Sequence, residues 1–395
     1  MSVEIDRKDL ETWAGILLDH SIGGVTPDDV VMIKGEHVAW PLMSILQDRV
    51  FAAGAIADVC LVPPDNHRGR VWGASIARHG TVAQIERTPD WHRARYEAMT
   101  KYVEVMGAES PELFENLPDE TGRALVRADE PFKTIRLLKP WVITLYPTAG
   151  FARMEEMSLD EYAQVVVQAS IYDPRLLEEA EEPLYQLMFR SRLIRVVTEE
   201  PSGRRLELRM DIGGRRIVKC TGHRNVPDGE VFTSPDARTV EGEVFLDLPV
   251  YQGGETIQGI YLRFAGGVIR EYRAERGHQA LAAIIETDAG SRRVGEIALG
   301  TNAGMTRVLR HPLFVEKVGG TLHLAVGGSY PECYVEDPAS PEGRSESDRL
   351  AAEGILNRSA QHVDLVADFR PGGAGREVWL DGTRLSVRDN QWVAG

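Results

Sequence analysis

The sequence predicts an α/β protein with an N-terminal α/β half built on a mainly parallel sheet and a C-terminal half of largely antiparallel strands. Before about residue 190, apolar runs of strand length alternate with helical patterns, which is the rhythm of β-α-β units. After that point, short strands follow one another with Gly-Gly and Asp-Gly pairs between them, as in hairpins. We therefore divide the chain into residues 1–190 and 191–395.

The first half opens with an alternation of strand and helix. Residues 30–33 and 56–62 are apolar and of strand length, and between them residues 40–54 have a helical pattern. Pro41 lies where a first helical turn tolerates proline, and Gly54 is a suitable residue to end the helix. This order indicates parallel strands with covering helices.

The rest of the first half continues the pattern. A helix is predicted over residues 96–106 and a strand over residues 141–146. Ser158 and Glu161 form a capping box before an apolar helical stretch, and a further helix runs from Pro174 to about residue 192. No G-x-G-x-x-G follows these strands, so the sequence gives no support for a dinucleotide site.

Turn signals organise the second half. Gly213-Gly214, Gly266-Gly267 and Asp381-Gly382 each predict a hairpin between neighbouring strands. One helix is predicted, over about residues 279–286. The strands are expected over residues 193–198, 205–212, 216–220, 244–248 and 256–270.

Composition indicates an ordinary globular protein and excludes several classes of partner. The hydrophobic share is 43% and the charged share 27%, with a net charge of −15. The negative charge argues against nucleic acid and against an anionic membrane surface. We expect no secretory signal and no membrane span. Cys60, Cys220 and Cys333 are odd in number and form no C-x-x-C, which predicts a reduced, cytoplasmic protein without thiol metal ligands.

His362 and Asp364 stand two residues apart at the start of an apolar run. Residues i and i+2 of a strand point to the same face, so a strand here would aim an imidazole and a carboxylate at one point, as a metal ion requires. His323, between Leu322 and Leu324, is placed to project from one face of another strand. These residues predict a metal site, although a purely structural His-x-Asp strand is the alternative.

Four segments, taken in order, resemble the thermophilic-type family of metal-dependent aminopeptidases, known as aminopeptidase T and its relatives. They are residues 225–235, 295–302, 319–330 and 357–366. Each of the first two places one Glu directly after a Gly and before a short apolar segment. The resemblance covers most of the chain in register, and it is specific because all four segments are present.

The resemblance implies an enzyme that removes N-terminal residues from a peptide or small amide with the help of two divalent metal ions. It also implies a homodimer. Zn²⁺, Co²⁺ and Mn²⁺ all suit a mixed carboxylate and imidazole site. None of the family's ligand positions is substituted here, and the implied ligands are Glu230, Glu296, His323, His362 and Asp364.

The family also has a Tyr seven residues after the first His, which is Tyr330 in this chain. The resemblance implies that Tyr330 and Glu296 are the catalytic residues. A phenol can stabilise the oxyanion of a tetrahedral intermediate or act as a weak ligand, and one carboxylate is expected to bridge the two ions. From the residues alone, Glu230 and Glu296 could be turn residues and Tyr330 a packing residue.

Two other functions remain open. The 2,5-dihydroxypyridine dioxygenases resemble this family and need only a His, His, Asp set around one Fe(II), which His323, His362 and Asp364 would supply. Glu230 and Glu296 favour hydrolysis, because a single-iron oxygenase does not require them. A binding protein without catalysis is disfavoured by the complete ligand set.

Residues 331–356 lie between two of the family segments and contain three prolines, many charges and few apolar side chains. This composition predicts a surface loop. Because the segment starts and returns beside the candidate site, it is either an elongated loop without a role or a flap that selects substrates.

Overall fold

A computed structural model describes residues 3–62, 73–111, 119–252, 255–371 and 375–395. The chain divides into two compact units. The first contains residues 1–174 and 222–228, and the second contains residues 175–221 and 229–395.

The first unit is built on a five-stranded parallel sheet, as the alternation of strand and helix predicts. Its strands are Val30–Glu36 (β1), Ile56–Val62 (β2), Lys101–Met106 (β3), Trp141–Leu145 (β4) and Asn225–Val226 (β8), in the order β2-β1-β3-β4-β8. Its helices are Arg7–Gly15 (α1), Trp40–Ala52 (α2), Gly73–His79 (α3), Val82–Glu86 (α4), Asp90–Ala98 (α5), Asp119–Leu137 (α6), Ala149–Met154 (α7) and Leu159–Ser170 (α8).

One element of the first unit differs from the prediction. The helix expected over residues 96–106 is wrong beyond Ala98, because Lys101–Met106 is the strand β3. Val103 and Val105 are β-branched, and both are fully buried in the parallel sheet. The pairing with two neighbouring strands therefore decides the conformation of a stretch whose spacing also suits a helix.

The second unit consists of two antiparallel sheets with few helices. Its helices are Pro174–Arg190 (α9), His278–Ile285 (α10), Pro312–Val315 (α11) and Pro341–Ala352 (α12). A larger sheet has the order β11-β12-β10-β6-β5-β17-β18-β19, with β13 paired to β12. Its strands are Leu193–Glu199 (β5), Arg205–Asp211 (β6), Glu241–Leu246 (β10), Val250–Gln252 (β11), Glu255–Ala265 (β12), Val268–Arg276 (β13), Glu377–Leu380 (β17), Thr383–Arg388 (β18) and Gln391–Ala394 (β19).

The smaller sheet of this unit has five strands in the order β16-β15-β14-β9-β7. These are Val218–Cys220 (β7), Glu230–Thr233 (β9), Val294–Gly300 (β14), Thr321–Gly327 (β15) and His362–Asp368 (β16). A single apolar core joins the two sheets: it includes Val196 and Leu262 from the larger sheet, and Leu299 and Leu324 from the smaller one. The opposite face of the smaller sheet is therefore free to carry polar residues.

Two of the three predicted hairpins are confirmed and one is wrong. Gly266-Gly267 joins the paired strands β12 and β13, and Asp381-Gly382 joins β17 and β18. The strands on either side of Gly213-Gly214 do not pair with each other. Strand β6 pairs in the larger sheet and β7 in the smaller one. Leu208 and Met210 of β6 lie in the core between the sheets, whereas Val218 of β7 packs in a separate cluster with Phe232 and Ala298.

The change from helices to antiparallel strands, predicted near residue 190, lies between the end of α9 at Arg190 and the start of β5 at Leu193. The compact units divide elsewhere, at Pro174 and around residues 222–228. Among the described residues, no helix is long and apolar enough to cross a membrane.

The surface loop predicted for residues 331–356 is wrong, because the segment is mostly helical. A 3-10 turn at Pro331–Cys333 is followed by α12, which Ser340 caps through its side chain. Val335, Leu350 and Leu356 form an apolar cluster. Only Leu350 of these three lies on α12, and the chain on either side of the helix brings Val335 and Leu356 to it.

Candidate metal centre

Strand pairing places the five predicted ligands on one face of the smaller sheet. Residues directly opposite one another in antiparallel strands share a face. His362 lies opposite Gly327, and Asp364 opposite Ala325, which in turn lies opposite Glu296. Because His323 and Ala325 are two residues apart, both point to this face.

The fifth predicted ligand joins the same face through the next strand. Glu230 lies opposite Gly300, and Gly300 shares a face with Ala298 and Glu296 by alternation along β14. The apolar neighbours Ile297 and Leu299 point the other way, into the core between the sheets. The alternation of polar and apolar residues along these strands thus builds the cluster.

The glycines that precede the two Glu residues have a structural reason. A register shift between Val294 and Glu296 marks a bulge at Gly295, where a Cβ would lie 2.2 Å from the carbonyl oxygen of Gly328. Gly229 has a φ of +134°, and a Cβ there would lie 2.8 Å from the backbone of Asn302. The Gly-Glu pairs therefore follow from close backbone approach and not from turns.

The side chains converge on Glu296 and His323. The Nε2 atom of His323 lies 3.3 Å from Glu296 Oε1 and 3.3 Å from Glu230 Oε2. The Nε2 atom of His362 lies 3.2 Å from Glu296 Oε2 and 3.6 Å from Asp364 Oδ1. Glu296 thus offers one oxygen to each histidine.

A hydrogen bond fixes the orientation of His362. Its Nδ1 atom donates to the carbonyl oxygen of Gly328 at 2.8 Å, so Nε2 is the nitrogen directed at Glu296 and Asp364. Metal-binding histidines commonly donate their second nitrogen to a carbonyl or carboxylate in this way. The Nε2 atom of His362 is therefore positioned to act as a ligand.

Electrostatics favour cations in this cluster. Burial alone lowers the pKa of His323, but the hydrogen bond to Glu296 and the charges of Glu230 and Asp364 raise it to about 9. Burial likewise opposes charge on His362, whereas Asp364 and Glu296 raise its pKa to about 10. Burial raises the pKa of Glu296, but its bonds with both imidazoles lower it to about 2. Without metal, protons on the imidazoles balance the carboxylates.

Unsatisfied polar atoms show that the residues fit a metal ion. Glu230 Oε2 and Asp364 Oδ1 are buried and have no hydrogen-bond partner among the described residues. Burying a carboxylate oxygen without a partner is costly, and a cation would remove that cost. Two overlapping groups have ligand atoms within 4.8 Å of one another: Glu230, Glu296 and His323, and Glu296, His362 and Asp364.

Sequence reasoning missed Glu316 and Lys317, which follow α11. Lys317 is 4% exposed, and its Nζ atom lies 2.5 Å from Glu230 Oε1. Burial and the charge of Asp364 raise the pKa of Glu316 to about 8 despite the nearby Lys317. The only sequence signal for them is a charged pair set between the apolar residues Val315 and Val318.

Tyr330 lies at the rim of the cluster. Its ring centroid is 4.6 Å from that of His362, and the residue is 37% exposed. Burial of the hydroxyl and the charges of Glu296 and Asp364 raise its pKa well above the ordinary value. The phenol is therefore a hydrogen-bond donor at the edge of the site.

Imidazoles and carboxylates around shared ligand positions, on one rigid sheet, define a site of the kind found in metal-dependent hydrolases. The chain matches the family described as thermophilic metalloprotease (M29) over residues 6–371. The protein belongs to this family, which confirms the resemblance drawn from the four segments.

A curated relative supports this assignment, and two solved structures are similar to the chain in fold. Aminopeptidase T of Thermus aquaticus is 26% identical over 353 residues, covering 79% of this chain and 82% of that protein. The structure of wild-type AmpT from Thermus thermophilus is similar with a TM-score of 0.75 and 22% identity, over 98% of this chain and 99% of that one. A 2,5-dihydroxypyridine dioxygenase from Pseudomonas putida KT2440 has a TM-score of 0.56 and 14% identity, over 99% of each chain.

Proposed function

We propose that the protein is a metallo-aminopeptidase that holds two divalent ions, one in each of the two overlapping ligand groups. Glu230, Glu296 and His323 would hold one ion, and Glu296, His362 and Asp364 the other. The observation that carries this proposal is that Glu296 belongs to both groups and directs one oxygen at each histidine. Glu296 would therefore be the bridging carboxylate. Zn²⁺, Co²⁺ and Mn²⁺ suit the donor set.

Residues around the proposed ions have separate roles in amide hydrolysis. Bound divalent ions would supply positive charge that activates a water molecule and polarises the amide carbonyl. The carbonyl oxygen of Gly328 accepts a hydrogen bond from His362 Nδ1 and so leaves Nε2 to bind metal. Lys317 holds Glu230 Oε1, so that Oε2 faces His323. Tyr330, beside His362, is placed to donate a hydrogen bond to the oxyanion that develops during attack.

The oxygenase function is the second candidate, and the fold cannot separate it from hydrolysis because the structure is similar to members of both groups. His323, His362 and Asp364 would supply the three residues that one Fe(II) needs, with Asp364 Oδ1 3.8 Å from the Nε2 atom of His323 and 3.6 Å from that of His362. Glu230 and Glu296 nevertheless lie within 3.3 Å of His323. They therefore belong to the same site, which supports the hydrolase.

Replacing Glu296 with Gln tests the proposal. We expect Glu296→Gln to reduce bound metal from about two equivalents toward one, and to lower hydrolysis of an aminoacyl-anilide by several orders of magnitude. Metal content and anilide turnover under anaerobic conditions are the measurements. Glu130→Gln, an exposed residue of α6, is the control that should change neither.

Two outcomes would contradict the aminopeptidase. One is a wild-type protein that holds a single iron and consumes oxygen with a hydroxylated pyridine, yet is inert toward aminoacyl amides. The other is a Glu296→Gln variant with unchanged metal content and turnover.

A homodimeric assembly and a cytoplasmic location are further parts of the proposal. The three described cysteines are free thiols, which supports a reducing compartment. Light scattering of the purified protein would test the homodimer, and a monomer at micromolar concentration would contradict it.

A further inference from the structure

The parallel sheet of the first unit carries one buried and one half-buried charge where apolar residues are the rule. Lys34 on β1 and Glu104 on β3 are register partners, so they share a face. Lys34 is 3% exposed, with its Nζ atom 3.8 Å from Glu104 Oε1 and 3.2 Å from the hydroxyl of Tyr96. Central parallel strands are normally almost entirely apolar, so these charges need an explanation beyond the fold.

Helix α6 adds more charge opposite this face. Asp129, Phe132, Lys133 and Arg136 follow one another at helical spacing, which places them along one side of the helix. Together with Lys34 they line a cavity of about 260 Å³. An apolar cavity of about 150 Å³ accommodates benzene, so this one has room for a branched or aromatic metabolite.

The charges in the cavity are unequally satisfied. Glu104 accepts a hydrogen bond from the hydroxyl of Tyr102 at 2.8 Å and faces Lys34, so its carboxylate has both a hydrogen-bond donor and a counter-charge inside the protein. The guanidinium of Arg136 lies over the rings of Trp141 and Tyr102, at 4.5 and 5.5 Å from their centroids. Its Nη1 atom is buried without a hydrogen-bond partner among the described residues. The cavity is lined by three cationic side chains, Lys34, Lys133 and Arg136, against two carboxylates, and this excess of positive charge favours an anion.

We propose that this cavity binds a small carboxylic acid anion with a branched or aromatic group, its carboxylate held between Arg136 and Lys34. A planar guanidinium is well suited to a carboxylate. The rings of Tyr96, Tyr102 and Phe132, which also line the cavity, form the walls for the apolar part. No residue of the candidate metal centre takes part, so this binding site does not depend on the proposed function.

The carboxylate could come from a free amino acid or from an acid without an amino group. Asp129, which lines the cavity, would receive the ammonium of an amino acid. A panel of ligands separates the two sources: L-leucine, 4-methylpentanoate, which lacks the amine, and L-leucinamide, which lacks the carboxylate.

Isothermal titration of the full-length, metal-loaded protein with this panel is the test. We expect 4-methylpentanoate, L-leucine or both to bind, and L-leucinamide not to bind at the cavity. Arg136→Gln should weaken the binding at least ~tenfold, since a hydrogen bond to a charged group is removed. Arg123→Gln, an exposed residue of the same helix, should leave it unchanged.

A second variant keeps binding at the metal centre apart from binding at the cavity. Glu296→Gln should retain the carboxylate binding that Arg136→Gln loses. The proposal is overturned if no carboxylate binds, if L-leucinamide binds Glu296→Gln as tightly as 4-methylpentanoate does, or if binding is lost in Glu296→Gln and kept in Arg136→Gln. In those cases Lys34 and Glu104 form a buried pair with a structural role alone.

Discussion

Lys317 is a positive charge inside a site that we propose to bind cations. It lies 2.5 Å from Glu230 Oε1, and both side chains are almost fully buried. In the metal-free protein it compensates the charge of Glu230, whereas a divalent ion bound to the same carboxylate is repelled by it. We infer that Lys317 stabilises the metal-free protein and weakens metal binding.

Lys317→Met should therefore raise metal affinity about tenfold, corresponding to ~1.4 kcal/mol, while lowering the melting temperature of the metal-free protein. Competition with a chelating dye measures the affinity, and differential scanning fluorimetry the stability. Lys219→Met removes a more exposed lysine that pairs with Glu178 and Glu182 and should leave metal affinity unchanged. Weaker or equal metal binding in Lys317→Met would show that orienting Glu230 is its main role.

Tyr330 lies outside the strands and places a hydroxyl beside His362 at the rim of the site. If it donates to the developing oxyanion, Tyr330→Phe should lower kcat ~10²-fold or more, about 3 kcal/mol, with metal content retained. Steady-state kinetics with an aminoacyl-anilide, together with metal analysis, make the comparison. Normal turnover in the Phe variant would remove Tyr330 from the mechanism, and loss of metal would make it a ligand.

At the scale of elements, the short helix α11 directly precedes Glu316 and Lys317 and so positions both residues beside the site. His311 precedes it, and its Nδ1 atom accepts a hydrogen bond from the backbone N–H of Leu313 at 3.2 Å. Burial lowers the pKa of His311 to about 4. Protonation would abolish the acceptor, so the helix cap requires the neutral imidazole.

This arrangement predicts a pH dependence of stability. The pKa of His311 is near 6.5 in the unfolded chain and about 4 in the folded one, so the unfolded chain takes up the proton first as the pH falls. The contribution of the neutral His311 to the free energy of unfolding is complete above about pH 6.5 and is lost as the pH falls toward 4.

Between pH 7 and pH 4, the wild type should lose on the order of 2 kcal/mol more unfolding free energy than His311→Gln. Urea titrations at both pH values measure this difference. His79→Gln, which changes an exposed histidine of α3, should follow the wild type. Parallel losses in wild type and His311→Gln would contradict the buried neutral imidazole.

Another element, the segment of residues 331–356, has a packing role that its composition concealed. Tyr334 donates a hydrogen bond to the carbonyl oxygen of Pro235 at 2.7 Å, and Arg216 N donates to Cys333 O at 2.8 Å. These hydrogen bonds fix the segment against the rest of the second unit. Whether it also selects substrates remains a prediction, which replacement by a short Gly-Ser link and measurement of KM would test.

At the scale of the whole molecule, the proposed ions would be part of the stability of the protein. Three carboxylates surround the centre, from Glu230, Glu296 and Asp364, and a bound metal ion would replace the protons of His323 and His362 in balancing their charge. A ligand at 100 times its Kd stabilises the folded state by about 2.7 kcal/mol.

Chelation should therefore abolish activity and lower the melting temperature by several degrees, and Zn²⁺, Co²⁺ or Mn²⁺ should restore both. Scanning calorimetry before and after chelation is the measurement. Glu296→Gln, with fewer ligands, should show a smaller shift on chelation. Equal melting temperatures with and without metal would contradict a structural contribution of the ions.

The sequence by itself determined most of the secondary structure and the identity of the candidate ligands. Alternation of polar and apolar residues predicts the strands around His323 and His362, because side chains on a strand alternate between two faces. The capping box at Ser158 is likewise local chemistry, and the structure contains it. The four family segments predicted the family, since their order is a property of the chain alone.

Only the tertiary structure decided what depends on partners distant in the chain. Lys101–Met106 is a strand because two neighbouring strands pair with it, and Gly213-Gly214 links two sheets because β6 and β7 each pair with a different strand. Lys317 reaches Glu230 across 87 positions of sequence, and neither residue's neighbours in the chain reveal the contact. Local propensity is weak beside burial and pairing, so long-range contacts place such residues and no local pattern predicts them.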